Sequence, residues 1–297
     1  MPHLSIMTLF PFDLHTHSDF SDGDFSPEYV FRKARRLGLK GIVLTDHNTT
    51  RSTGSALSLG EKFNLETIEG IEISVKWIGL EVHILGYSRR FDRATLEKSL
   101  RPTQRGYTEK VKTQLRHAKK IGLADVTLKD LRSIRPNASF FVKYDVARAL
   151  SRATKIPAAL LTKRLNRGGD LFVPYGDWAL SPHQVLVLMR RVRGVASLAH
   201  PGALRASLSK KISSQRADKR LMEFIALMAR NGLRALEVRH PDHGADDEQF
   251  FGSLVKKFRL LPTGGSDYHG EKHHPERPLG QWGLTEQEFR NLQSILV

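Results

Sequence analysis

Short apolar runs alternate with stretches of helical periodicity along most of this chain. The runs Phe10–Leu14, Gly41–Thr45, Glu69–Ser74, Leu80–Leu85, Val195–Ala199, Ala235–Val238 and Leu260–Gly264 predict strands. Between them, Pro27–Leu37 and Lys219–Asn231 have the spacing of helices. The first opens with Ser26 as a cap and Pro27 at the first helical position; Val30, Ala34 and Leu37 share one face, and Gly38 supplies the stop. Repeated strand–helix units predict an α/β fold with a largely parallel, closed or curved sheet.

From about Arg101 to Asp170 the rhythm changes to helical segments without strands. Lys110–Ile121 places Val111, Leu115 and Ala118 on one face, and Val126–Leu131, Val142–Ser151 and Pro157–Leu165 follow. Gly168-Gly169 and Pro174 then punctuate a return to the strand–helix pattern. The organisation this predicts is a first barrel part over 10–100, an inserted helical cap over 101–175, and a second barrel part over 176–297.

Charge sharpens that division. The chain carries net +16, but residues 1–88 hold 8 Lys+Arg against 11 Asp+Glu, whereas residues 89–170 hold 21 against 7. Positive charge concentrated in one segment points to a polyanionic partner, with nucleic acid ahead of membrane because no amphipathic anchor is evident. There is no Cys, which excludes disulfides and Cys-based zinc sites. Met1–Phe12 lacks the basic start of a signal peptide, and no run of about 18 apolar residues is present to span a bilayer. The expectation is a soluble, cytoplasmic protein with no membrane association and no obligate protein partner.

The candidate chemistry sits at predicted strand ends, the positions that converge on one face of an α/β barrel. His15-Thr16-His17 with Asp22, Thr45-Asp46-His47, Glu72, His83, His200-Pro201 and Asp267-Tyr268-His269 all carry metal-binding side chains. Alone, His200-Pro201 reads as a structural or surface histidine, and Asp46 as a cap for the loop that follows it. Together, imidazole and carboxylate without thiolate suit Mn²⁺, Fe²⁺, Zn²⁺ or Mg²⁺, and the set exceeds what one ion needs.

This ordered set resembles the PHP (polymerase and histidinol phosphatase) family of metal-dependent phosphoesterases. Within it, the chain is most similar to the branch of nucleoside 3′,5′-bisphosphate phosphatases and 5′-to-3′ exoribonucleases. The likeness runs from Asp13 to about Gly283, through Arg164–Pro174, Glu237-Val238-Arg239-His240-Pro241 and Leu279-Gly280. It implies a distorted (βα)₇ TIM-like barrel with an inserted basic helical subdomain and a trinuclear site. His15, His17, Glu72 and Asp267 would bind one ion; Glu72 would bridge to a second held by His83 and His200; Asp22, His47 and His269 would hold the third. Glu72, Asp267 and His200 would then be central to catalysis, with two or three divalent ions, manganese foremost. The chemistry expected is in-line attack by a metal-activated hydroxide, without a covalent protein intermediate.

The substrate implied is a nucleotide or short single-stranded RNA. Aligning on Ala147-Arg148-Ala149-Leu150 places Lys143 and Asp145 where the branch commonly has an Arg and a His facing a phosphate. Lys143 and Arg148 are the phosphate contacts this suggests, with a structural salt bridge from Arg148 to Asp145 as an equal alternative for Arg148. Asp145 departs from the pattern and would repel a phosphate unless protonated or paired with Lys143. Two other readings compete: a phosphatase for another small phosphomonoester, such as histidinol phosphate, and a nucleic-acid-binding module with a structural metal site. Of the aromatics in the basic region, Tyr107, Phe140, Phe141 and Tyr144, at least two are expected to pack in the core rather than stack on bases.

Overall fold

The computed structural model describes residues 10–271 and 274–297. The reading of the chain start as free of a leader rests mostly on residues 1–9, which lie outside the described residues. In chain order the first half forms β1 (Phe12–Thr16), α1 (Pro27–Arg36), β2 (Gly41–Leu44), α2 (Thr53–Phe63), β3 (Glu69–Trp77) and β4 (Leu80–Ser88). Four helices follow: α3 (Arg93–Lys120), α4 (Leu128–Ile134), α5 (Lys143–Thr154) and α6 (Ala158–Leu165). The remainder is α7 (Pro182–Arg191), β5 (Val195–Leu198), α8 (Pro201–Ser209), α9 (Ser214–Arg230), β6 (Ala235–Arg239), α10 (Ala245–Phe258), β7 (Leu261–Gly264) and α11 (Glu286–Ser294). The start of α1 is capped as its sequence predicts, with the Ser26 hydroxyl accepting from the Tyr29 amide at 3.3 Å.

The strand–helix alternation is present, but the sheet differs from a parallel one. β1 and β2 pair in parallel as one two-stranded sheet, and β3-β4-β5-β6-β7 form another. Within the larger sheet β4 runs antiparallel to both β3 and β5, while β5-β6-β7 are parallel. The cause is local: Ile78 and Gly79 both take positive φ, 44° and 75°, a two-residue turn that folds β3 back on β4 as a hairpin. The two sheets are not joined into one closed ladder. Isolated parallel bridges, His47 to Glu72 and Thr16 to Tyr268, connect them at the margins.

Apolar side chains separate into clusters. The largest packs Ile71, Ile73 and Ile84 of the hairpin against Val185 of α7, Ile225 of α9 and Phe251 of α10. A second gathers Val111, Leu131, Val146, Leu150 and Leu161 from α3–α6, with no strand contributing. α3 belongs to both: Leu96 and Leu100 enter the first cluster, Val111 and Leu115 the second. The helix therefore begins before residue 101 and runs through Pro102, a residue that lacks the amide for its own helical hydrogen bond. Further along, Gly106 lies against an indole; a methyl group there would stand 1.9 Å from Trp178 Cδ2. No helix of the described residues is long and apolar enough to cross a membrane.

Candidate metal centre

Strand geometry brings the predicted ligands to one place. Residues two apart on a strand point the same way, so His15 in β1 and His17 just beyond it share a face, and both are fully buried. In the hairpin, His83 of β4 stands opposite Ser74 of β3, which puts it on the same face as Glu72. These two lie inside nine-residue strands rather than at strand ends, because the hairpin continues past the site. His47, His200 and Asp267 do follow their strands. His200 and Asp267 take positive φ, 27° and 49°, a conformation non-glycine residues adopt at a cost of order 1–3 kcal/mol where surrounding contacts enforce it. Glu237 supplies one such contact, accepting the His200 amide at 2.7 Å. Asp22 rides on a loop pinned by Asp46, which accepts from the Ser18 amide at 2.8 Å and from the Ser18 and Ser21 hydroxyls at 2.6 Å each. Asp46 thus caps the loop before it in the chain, not the one after it.

The nine side chains converge around Glu72. Its Oε2 lies 3.1 Å from His15 Nε2, 3.2 Å from His17 Nε2 and 3.3 Å from His47 Nε2. Its Oε1 lies 2.9 Å from His83 Nδ1 and 3.1 Å from His200 Nε2. Asp267 Oδ1 stands 3.0 Å from His17 Nε2 and 3.3 Å from His15 Nε2. Asp22 Oδ1 is 3.3 Å from His269 Nε2, and its Oδ2 is 3.8 Å from His47 Nε2. Ligand atoms of His15, His17, Glu72 and Asp267 form one compact group, those of His17, Asp22, His47 and His269 a second, and those of His47, Glu72 and His83 a third.

The donor set fits divalent cations. Both ring nitrogens of His17 and Nδ1 of His47 are buried without a hydrogen-bond partner among the described residues. His17 Nε2 nevertheless faces two carboxylate oxygens, so lone pairs converge on shared points as ligands do around an ion. The electrostatics agree. Burial would raise the carboxyls of Asp22, Glu72 and Asp267, yet the surrounding imidazoles hold all three well below the ordinary range. Burial would lower His17 and His83, yet the facing carboxylates push each up to about 10. His47, with less compensation, is lowered by burial to about 4. Concentrated negative charge of this kind calls for positive charge between the carboxylates.

Several supporting residues carried no role on sequence grounds. Glu237 of β6 holds His15 Nδ1 at 3.0 Å. His240 Nε2 reaches Asp267 Oδ2 at 3.3 Å, and Arg277 pairs with the same oxygen and with Asp242 at 2.9 Å. His243 accepts the Gly202 amide at 3.0 Å and donates to the Val238 carbonyl at 2.7 Å, fixing the start of α8 beside His200. The signal for three of these was the stretch Glu237–His243, which combines two carboxylates with two imidazoles.

The helical segment faces the centre. A cleft of about 560 Å³ is lined by Glu72, His200 and Asp267 on one side and Tyr144, Arg148 and Thr162 on the other. Lys143 lines a smaller side pocket with His47 and His83 and bonds Asn166 at 2.9 Å. Asp145 does not meet Lys143 as a partner. It is buried against Arg135 at 3.3 Å and accepts the Val142 amide at 2.9 Å, so it locks α5 in place and turns no charge to the cleft. Arg148 pairs with Asp24 at 3.2 Å, with Asp145 farther away at 3.9 Å. Tyr107, Phe140 and Phe141 are buried; Tyr144 is exposed.

Comparison with known proteins gives this arrangement a context. The PHP domain matches residues 13–150. A phosphoribosyl 1,2-cyclic phosphate 1,2-diphosphodiesterase from Eggerthella lenta is 28% identical over 87% of this chain and 94% of its own. A 5′-3′ exoribonuclease from Haemophilus influenzae is 26% identical over 87% and 89%, and a 3′,5′-nucleoside bisphosphate phosphatase from Chromobacterium violaceum is 26% identical over 86% of each chain. A solved structure from Bifidobacterium adolescentis, provisionally described as a metal-dependent phosphoesterase, superposes with a TM-score of 0.80 at 23% identity, over 96% of each chain.

Proposed function

We propose that this chain, a PHP-domain metal-dependent phosphoesterase, hydrolyses phosphate esters of nucleotides or short single-stranded RNA. The position of Glu72 carries the reading, because its two oxygens face two different sets of imidazoles. His15, His17, Glu72 and Asp267 would hold one divalent ion, Glu72, His83 and His200 a second, and Asp22, His47 and His269 a third. Manganese suits this oxygen and nitrogen set, as do iron, zinc and magnesium. When bound, such ions polarise the phosphoryl group, lower the pKa of water towards neutrality and offset charge on the leaving oxygen.

The chain's own residues set the geometry. Glu237 and His240 orient His15 and Asp267 from behind. Lys143 and Arg148 stand on the facing helix, where each would meet phosphate oxygens, Arg148 while still partnered by Asp24. We read 10–100 and 176–297 as the parts of a distorted (βα)₇ TIM-like barrel and 101–175 as its basic cap. The strand-free apolar cluster of α3–α6 and the bridges between the two sheets support this. The Cys-free composition suits a cytoplasmic location.

The test is a substrate panel. An aryl phosphate should turn over only with added divalent ion. A nucleoside 3′,5′-bisphosphate or a 5′-phosphorylated oligoribonucleotide should exceed histidinol phosphate in kcat/KM. Histidinol phosphate as the best substrate would replace this reading with that of a small-molecule phosphatase, and no turnover of any would leave a binding module.

A further inference from the structure

We infer that Glu81 is a positioning residue that sets the ring of His83 for metal binding and ties that ring to the helical segment; the inference rests on His83 being a ligand, as proposed above. Glu81 precedes His83 by two residues on β4 and so lies on the same face. One of its oxygens, Oε1, meets three groups: His83 Nε2 at 3.3 Å, the Tyr107 hydroxyl at 2.8 Å, and the Tyr175 hydroxyl. His83 turns its other nitrogen, Nδ1, to Glu72 Oε1 at 2.9 Å and to His200 at 3.1 Å.

A neutral imidazole carries one N–H. With Nδ1 committed to an ion, that proton lies on Nε2, and an acceptor there stabilises this tautomer, the state a ligand requires. Without Glu81 that tautomer loses its acceptor, and the ring is held from the Nδ1 side alone. The two tyrosines hold the acceptor in place from outside the hairpin. Tyr107 belongs to α3, and Tyr175 to the chain returning from α6. Trp178, seated against Gly106, packs on both rings with centroids 5.1 and 5.2 Å away. The seating of the helical segment therefore reaches a metal ligand through a single carboxylate oxygen.

A role confined to fastening the tyrosines would predict only lost stability when Glu81 is changed. The positioning role predicts a change in metal affinity and in the ring itself. Chelator-treated full-length protein titrated with Mn²⁺ by calorimetry should bind one ion about 10–100-fold more weakly in Glu81→Ala. Glu81→Gln keeps the Oε1 acceptor and should recover most of that loss. Tyr107→Phe combined with Tyr175→Phe should give an intermediate loss. In the Zn²⁺-loaded protein, ring ¹⁵N shifts should place the His83 proton on Nε2 in the wild type and in Glu81→Gln, and divide it between the two nitrogens in Glu81→Ala. A folded Glu81→Ala protein with wild-type affinity for every ion overturns the inference. If that variant fails to fold, a double tyrosine variant that binds Mn²⁺ as the wild type does overturns it equally. A wild-type protein that binds no Mn²⁺ would instead defeat the metal-site reading itself.

Discussion

Glu237 and His15 are 222 residues apart in the chain, yet Glu237 Oε1 lies 3.0 Å from His15 Nδ1 with both side chains fully buried. The pair fixes which His15 nitrogen faces Glu72, because an acceptor at Nδ1 leaves Nε2 for the centre. The second Glu237 oxygen accepts the His200 amide, so one side chain steadies two candidate ligands. Glu237→Ala should therefore lower the affinity for divalent ions about 10–100-fold, measured by titration of the chelated protein. Unchanged affinity in a folded variant would remove Glu237 from this role.

The Arg135–Asp145 pair should prove structural. Both groups are almost wholly buried, and Arg135 also donates to the backbone carbonyls of Asp19 and Ser21, joining the helical segment to the loop that carries Asp22. Arg135→Ala leaves a buried carboxylate without its partner and should cost about 3–5 kcal/mol in urea unfolding. Adding Asp145→Asn should recover part of that loss, since the stranded charge is gone. A cost below about 0.5 kcal/mol, the range of ordinary surface changes, would show the pair to be dispensable.

Stability of the chelated protein should fall as pH rises from about 6.5 to 10. His17 and His83 have folded pKa values of about 10 against an ordinary 6.5, so the folded state binds protons more tightly. Their contribution is complete below 6.5 and is lost on the way to 10. Asp13, pushed up to about 6 by burial, is already ionised over this interval and adds no slope. Tm measured across this range should drop in the chelated protein and hold in the metal-loaded one. A Tm that rises with pH in the chelated protein would contradict the assignment.

Binding of single-stranded RNA should weaken with salt, with a log–log slope of about −0.7 per phosphate neutralised. Reversing the charges of Arg116, Lys119 and Lys120 on α3 should flatten it. Lys119 already pairs with the exposed Asp125 at 2.6 Å, a contact weak enough for a phosphate to replace. An unchanged slope would take these three residues off the RNA path.

What could be read in the sequence, and what could not, has physical causes. His15-Thr16-His17, Asp22 and Asp267-Tyr268-His269 stand out because several ligand-type side chains crowd into short spans. Glu81 does not, because a single carboxylate in a strand acquires meaning only from what folds against it; Glu237 lies in a visibly dense stretch, but its partners His15 and His200 are joined to it only by folding. The β3–β4 hairpin was hidden by Ile78, a β-branched residue at a position whose φ of 44° favours Gly or Asn. The early start of α3 was hidden by Pro102, which on local grounds ends helices rather than sitting inside one. Asp145 departs from the branch pattern at a position where the fold supplies Arg135, ten residues earlier in the chain and brought alongside only by packing.

Glu72→Gln tests the central claim most directly. The substitution keeps the shape of a side chain whose two oxygens face two sets of imidazoles and removes its charge from both. Metal content by elemental analysis and turnover of an aryl phosphate with Mn²⁺ should be measured on the same preparation. The expected result is the loss of at least one bound ion per chain and of nearly all turnover, in a protein that remains folded. A Glu72→Gln protein with wild-type metal content and wild-type rate would contradict the account.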